Sequence, residues 1–123
     1  MLCRLLALLC VALSLSAGAR ENPSSYPREQ WIAEASLPAE ARETLRLIDR
    51  GGPYPYRRDG LTFKNLEKRL PLRQRGYYRE YTVPTPGSPD RGARRIVTGE
   101  QPPAVFYYTD DHYRSFREIK RGE

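Results

Sequence analysis

Four residues of this 123-residue chain carry side-chain types that together could move a phosphoryl group: Glu80, Arg91, Arg95 and His112. Glu80 stands in the middle of Gly76-Tyr-Tyr-Arg-Glu-Tyr-Thr-Val83. That run is rich in residues that fit a pleated surface and is bounded by Gly76 and Pro84, so it predicts a β-strand. Strand alternation places Tyr78, Glu80 and Thr82 on one face and Tyr77, Arg79, Tyr81 and Val83 on the other. A carboxylate at the centre of such a strand is either a surface charge paired with a neighbour or an acid/base held rigid by the sheet. Arg91 and Arg95 are four residues apart and share a face if the next strand extends that far. Pairing through the Pro86-Gly87 turn then sets them opposite or diagonal to Glu80. Two arginines beside one glutamate leave an excess cation, whose desolvation is costly unless an anion visits. His112, the single histidine, falls in the turn Asp110-Asp111-His112 between two further strands.

These types fit the cutting of an RNA strand by its own 2′-hydroxyl. That reaction needs a base for the hydroxyl, an acid for the departing 5′-oxygen, and cations for the charge that builds on the phosphoryl oxygens. The substrate supplies the nucleophile, so the transfer step requires neither a metal nor an activated water. No metal site is expected, because the two cysteines, Cys3 and Cys10, lie in the N-terminal leader and only His112 remains. No cofactor is expected either.

The elements that must position these residues follow from the pattern of the chain. Arg4, the apolar run Leu5 to Leu15 and the small residues Ala17-Gly18-Ala19 read as a signal peptide spanning 1–19, too short to cross a membrane. A polar arm is expected over 20–35 and one folded domain over 36–123. Within it, Leu37 to Gly51 predicts a helix. Pro38 and Glu40 suit its start, Ala41, Leu45 and Ile48 form its apolar stripe, and Gly51 stops it. A loop with Tyr54 and Tyr56 follows. From Leu61 the chain turns to short strands: one containing Phe63, then 76–83, 94–98, 104–109 and 113–119. A helix followed by closely spaced short strands predicts an α+β domain, with one N-terminal helix packed on an antiparallel sheet of about four to five strands.

With the leader removed, 104 residues remain, and their 20 basic and 15 acidic side chains leave a charge of +5. A small basic exported domain points to a polyanionic partner: nucleic acid, acidic polysaccharide or an anionic membrane surface. The last two give Glu80 and His112 nothing to do.

The chain resembles the small secreted guanyl-preferring microbial ribonucleases, the barnase-like family, and within it the bacterial branch. The resemblance rests on Leu47-Ile48, Gly52-Pro-Tyr-Pro-Tyr56, Asp59-Gly60, Phe63-x-Asn65-x-Glu67, Leu70-Pro71, and Gly76 to Val83. It continues through Thr85-Pro-Gly87, Arg91-Gly-x-Arg-Arg95-Ile-Val-Thr-Gly99, Tyr107-Tyr-Thr-x-Asp-His-Tyr113 and Ser115-Phe116, and so covers residues 37–119. It implies Glu80 as general base, His112 as general acid, and Arg91 and Arg95 as phosphate-binding arginines. Phe63, Lys64, Asn65, Leu66 and Glu67 would form the base-recognition loop, with Glu67 accepting hydrogen bonds from the guanine edge and Tyr113 near the phosphate. Lys64 stands where the pattern usually has glutamine, and Leu66 where it often has an arginine against the guanine face. The missing cation–π stack is worth about 0.5–2 kcal/mol, so weaker base binding is expected. The implied activity is a secreted endoribonuclease that cuts single-stranded RNA after guanosine through a 2′,3′-cyclic phosphate. The alternative is an inactive secreted RNA-binding protein of the same fold. An acidic cytoplasmic inhibitor protein is the further partner the resemblance implies. No membrane association is expected, and the protein is read as a monomer.

Overall fold

The computed structural model describes residues 30–123, so the leader and most of the arm lie outside the described residues. Helix α1 (Ala39–Arg50) is the one α-helix among them and packs on a six-stranded sheet. Its strands are β1 (Trp31–Ala33), β2 (Leu61–Thr62), β3 (Tyr78–Thr82), β4 (Arg95–Gly99), β5 (Val105–Thr109) and β6 (Arg117–Lys120). They lie in the order β1-β6-β5-β4-β3-β2.

Strands β2 to β6 form the expected antiparallel meander, and β1 adds to β6 in parallel, which brings the count above the four to five predicted. The sheet therefore begins inside the segment read as an arm. β1 is only three residues long, too short to show an alternating pattern by itself. It is fixed by its register, Ile32 opposite Ile119, and by a 2.7 Å hydrogen bond from the Glu118 amide to the Gln30 carbonyl.

Helix α1 forms where the apolar stripe predicts it. Pro38 caps its start and Gly51 ends it in the left-handed conformation (φ 77°), its amide returning to the Ile48 and Leu47 carbonyls. Ala41, Leu45 and Ile48 are buried against Tyr81, Ile96, Phe106, Tyr108 and Ile119. Each large apolar side chain buried there contributes about 1.5–3 kcal/mol. Thr44 Oγ1 lies 3.2 Å from the Thr82 carbonyl and ties the helix to β3. Tyr54 packs on Tyr81 with ring centroids 5.1 Å apart and pins the proline-rich loop to the core. Asp59 pins it again, accepting from the Thr82 amide at 2.7 Å and the Tyr56 amide at 3.1 Å.

The opposite face of the sheet carries a second cluster. Leu70, Tyr78 and Val97 are buried there, with Phe63, Tyr77, Tyr107, Tyr113 and Phe116 packed on them. Tyr78 Oη donates to the Pro71 carbonyl at 2.6 Å, and burial pushes this phenol up to about 12. Gly99 lets Tyr77 fold over the end of β4, since a Cβ there would lie 2.6 Å from both the Tyr77 ring and Val105 Cγ1. One cross-strand row on this face runs through every strand: Trp31, Glu118, Tyr107, Val97, Glu80 and Leu61. Directly paired residues project to the same side, so the row fixes which face Glu80 serves.

Arg121 ties the segment after β6 to Glu34 and to the end of α1. Its guanidinium takes Asp49 in two bonds of 3.1 and 2.6 Å, reaches Glu34 Oε1 at 2.8 Å, and lies 4.5 Å over the Phe106 ring. The Gly122 amide donates to Glu34 Oε2 at 2.9 Å, and the Ala35 amide to the Glu123 carbonyl at 2.7 Å. Bidentate geometry makes such contacts stronger than an isolated surface pair, although Asp49 is half exposed. Arg121→Ala is expected to cost about 1 kcal/mol and lower the thermal midpoint by roughly 4–8 °C. The loss should shrink at high salt, and circular dichroism melts in low and high salt check both effects.

Candidate active site

Glu80 lies on β3 opposite Val97, is only 7% exposed, and faces away from α1. Tyr113 Oη donates to its Oε2 at 3.1 Å. Two guanidiniums approach its Oε1, Arg58 Nε and Arg91 Nη2, each at 3.6 Å. The excess of cations over the single carboxylate is therefore present, but its members differ from the expected pair. Arg91 precedes β4 and reaches Glu80 from the connecting loop rather than from a strand face. Its Nε and Nη2 donate to Thr82 Oγ1 at 3.1 and 2.9 Å, so the threonine hydroxyl aims it. Asp90 shapes that loop, accepting from the Gly92 amide at 2.7 Å and the Ser88 hydroxyl at 2.9 Å. These bonds, the amide first, hold its carboxyl below the usual range.

Arg95 is paired across the ladder with Thr82, diagonal to Glu80, and is buried. Its Nη1 donates to the Gly92 carbonyl at 3.0 Å and the Arg94 carbonyl at 2.7 Å, while its Nε has no hydrogen-bond partner among the described residues. A buried donor without an acceptor is costly, and an anion in the cleft would relieve it. The Arg95 guanidinium sits 5.9 Å from the centre of the Tyr113 ring. Burial pushes the Tyr113 phenol up first, the Glu80 charge adds to this, and Arg95 opposes it. The phenol therefore stays a donor.

His112 lies in the turn after β5, exposed, with its ring 5.0 Å from that of Tyr113. The expected strand 113–119 starts late, at Arg117, because His112 and Tyr113 both take positive φ (56° and 70°). Asp111 builds this turn. It accepts from Thr109 Oγ1 at 2.8 Å, the Ser115 amide at 2.9 Å and the Ser115 hydroxyl at 2.5 Å. Burial raises its carboxyl, but these hydrogen bonds outweigh burial and leave it below the ordinary range. The His112 amide donates to the Ala93 carbonyl at 3.0 Å, joining the turn to the arginine loop.

The loop after β2 walls the other side. Phe63 falls just beyond β2 and stacks on Tyr113 at 5.0 Å. Asn65 takes a left-handed φ of 51°, and its side chain is committed to Leu70, donating to the carbonyl at 2.9 Å and accepting from the amide at 3.1 Å. It thus shapes the loop. Leu66 is 79% exposed, and the Glu67 side chain, 68% exposed, is ion-paired to Arg69, which also donates to the Tyr113 carbonyl at 3.1 Å. Phe63, Lys64, Asn65, Leu66, Glu67, Glu80, His112 and Tyr113 line one open cleft of about 380 Å³, together with Arg58, Thr62, Arg69 and Phe116. Arg91 and Arg95 lie behind it, in contact with Glu80 and Tyr113. Sequence reasoning missed Arg58, Arg69 and the anchoring role of Thr82. Only the position of Arg58 next to Asp59-Gly60, where the chain re-enters the sheet, hints at the first. Among the described residues, no group of three or more His, Cys, Asp or Glu could hold a metal ion. No helix there is long and apolar enough to cross a membrane.

A family model described as ribonuclease matches residues 20–120. Guanyl-specific ribonuclease Sa3 of Kitasatospora aureofaciens is 57% identical over 88 residues, which cover 72% of this chain and 62% of the relative. The chain thus spans less than two thirds of that relative's length. Guanyl-specific ribonuclease St of Saccharopolyspora erythraea is 55% identical over 88 residues, covering 72% of this chain and 85% of the relative. The crystal structure of ribonuclease Sa2 with guanosine-2′-cyclophosphate superimposes with a TM-score of 0.72 at 47% identity, covering 78% of this chain and all of the other.

Removing the Asp111 carboxylate should free the turn that carries His112. In Asp111→Ala, amide exchange at residues 111–115 should accelerate at least tenfold, with the sheet amides unchanged. Because the Asp111 pKa is depressed in the fold, the wild-type turn keeps this support above the unfolded value near 4. It loses the support as pH falls through the lower folded value. Hydrogen exchange by NMR across that acid range checks both effects.

Proposed function

The chain belongs to the ribonuclease family, and from that premise we propose that it is an exported endoribonuclease. On this reading it cuts single-stranded RNA on the 3′ side of guanosine through a 2′,3′-cyclic phosphate. The observation that carries the reading is the buried carboxylate of Glu80, flanked by Arg58 and Arg91 and sharing one cleft with His112.

Glu80 accepts the proton of the 2′-hydroxyl as its oxygen attacks phosphorus. The P–O5′ bond breaks, and His112 gives a proton to the departing oxygen. Arg91 and Arg95 stabilise the charge on the phosphoryl oxygens, and Tyr113 orients Glu80 through its 3.1 Å bond. In the second half-reaction the roles reverse: His112 takes a proton from water and Glu80 supplies one to the 2′-oxygen. Base choice falls to the loop 63–67. Glu67 faces N1–H and the exocyclic amine of guanine, two donors that one carboxylate accepts together. Its ion pair with Arg69 and the missing stack at Leu66 weaken that selection. Export is supported by Arg4, the apolar run and the small residues at 17–19. An acidic inhibitor protein that covers the arginine-lined cleft of a monomer belongs to the same proposal.

Glu80→Gln and His112→Ala should each lower turnover of a guanosine-containing dinucleotide by about 10²–10⁴-fold, with the fold intact by circular dichroism. A near-wild-type rate in either would remove that residue from the proton transfers, and binding without turnover in the wild type would favour the inactive RNA-binding alternative.

The guanosine-to-adenosine cleavage ratio should stay well below the ~10⁴–10⁵ that a fully buried pairing site can reach. Glu67→Gln should compress it further while the pH profile set by Glu80 and His112 keeps its shape. Matched dinucleotides differing only in the 5′ base measure this, and an unchanged ratio would place base reading outside the loop.

A further inference from the structure

The sheet face that carries Glu80 continues past the catalytic cleft into a second groove of about 710 Å³, lined by Trp31, Tyr107 and Arg114 among others. Arg69 and Phe116 line both cavities, so the two are neighbours on one face. The cross-strand row places Trp31 on the same side as Glu80, four strands away. At about 4.8 Å per strand, the two backbones lie roughly 19 Å apart, on a line running across the sheet. Trp31 is the only tryptophan of the chain and is 46% exposed on the edge strand, an unusual place for an indole with no ligand to stack on. Arg69, Arg114 and Lys120 line this groove against one acid, Glu118. Arg69 is already engaged with Glu67, which leaves Arg114 and Lys120 as the cations aimed at the groove's own contents.

We propose that this groove is a second subsite for the RNA strand. One base of the flanking sequence stacks on Trp31 and its phosphates lie against Arg114 and Lys120. Aromatic platforms interleaved with cations are how single-stranded nucleic acid is held without sequence preference, because every base offers a π-face and every nucleotide a charge. The groove therefore adds affinity for long substrate and none for choice of base, which remains with the loop 63–67. Glu118, between Trp31 and Tyr107 in the row, opposes the phosphates, so its neutralisation tightens binding. The proposal rests on the ribonuclease reading for its substrate class, but its test does not require cleavage.

Because Trp31 is the sole tryptophan, its fluorescence reports the site directly. Titration with a fluorescently labelled, guanosine-free single-stranded oligonucleotide should quench the tryptophan emission in parallel with the rise in label anisotropy. The affinity should weaken with salt, and Arg114→Ala or Lys120→Ala should each make that logarithmic slope shallower by about 0.7. Binding seen by anisotropy with unchanged tryptophan emission overturns the proposal. In steady-state cleavage, Trp31→Ala should raise KM for a long single-guanosine oligonucleotide about five- to tenfold, with Trp31→Phe retaining most of the affinity. Glu118→Gln should lower that KM. Dinucleotide kcat and KM should stay at wild-type values in all these variants. Equal losses on the dinucleotide and the long substrate would make Trp31 a sheet residue only, and unchanged KM on both would assign the face to another partner; either result overturns the subsite. Failure of the wild type to cleave any substrate would instead overturn the ribonuclease reading and leave the quenching experiment standing.

Discussion

Burying Glu80 at the centre of β3, one strand in from the short edge strand β2, is the constraint on which the rest of the site depends. A carboxylate so little exposed is tolerated only when charge and hydrogen bonds meet it. Here Tyr113 meets one oxygen, and Arg58 and Arg91 approach the other. Tyr113 is held by Thr109 and Arg69, and the supports of the two arginines converge on β3. Thr82 is the junction. Its hydroxyl holds Arg91, its amide donates to Asp59, its carbonyl faces Thr44 of the helix, and its ladder partner is Arg95. Arg91, the proline-rich loop and the helix are thus fastened to one residue, two positions from the carboxylate.

The two faces of the sheet divide the work. Alternation along β3 sends Tyr81 toward the helix and Tyr78 and Glu80 toward the cleft. The helix face is a continuous apolar layer whose burial drives folding. The cleft face is aromatic, and its rings pack edge-on or stacked around Phe63, Tyr78, Tyr113 and Phe116. Such rings fill space, and the hydroxyls of Tyr78 and Tyr113 are committed to the Pro71 carbonyl and to Glu80. The rigid helix layer is what allows the opposite face to carry so many charged groups.

The parts legible in the sequence are those set by local periodicity. The helix, its stripe and its glycine stop follow from spacing alone, as does the face that Glu80 shares with Tyr78. Parts set by tertiary contact were not legible. β1 is fixed by register to β6, and the turn at His112 by the hydrogen bonds of Asp111, neither of which has a periodic signature. Arg91 carried a strand-based expectation because Arg95 is four residues on. It lies in a loop because Gly92 takes a positive φ and Asp90 closes a tight turn before it. Arg58 comes to Glu80 only because Asp59 anchors the neighbouring backbone to β3.

Exposure separates the two tasks proposed for the cleft. The proposed proton transfer depends on sub-ångström placement, and Glu80 is buried and met at both oxygens. The proposed base reading rests on Glu67, an exposed carboxylate on a loop, already paired to Arg69. The loop is not loose, because Asn65 clamps it to Leu70 from both sides. What it lacks is exclusion of water around the reading group, and a hydrogen bond made in water discriminates far less than one made where the unpaired alternative is buried. Arg69 adds to this, because a guanine edge must share the carboxylate with a guanidinium that is already in place. The same arginine donates to the Tyr113 carbonyl, so the base-reading loop and the ring that orients Glu80 are mechanically joined. A change at Arg69 would therefore reach both tasks, raising the availability of Glu67 while loosening Tyr113. On the proposed mechanism, selectivity and rate are thus coupled through one surface side chain.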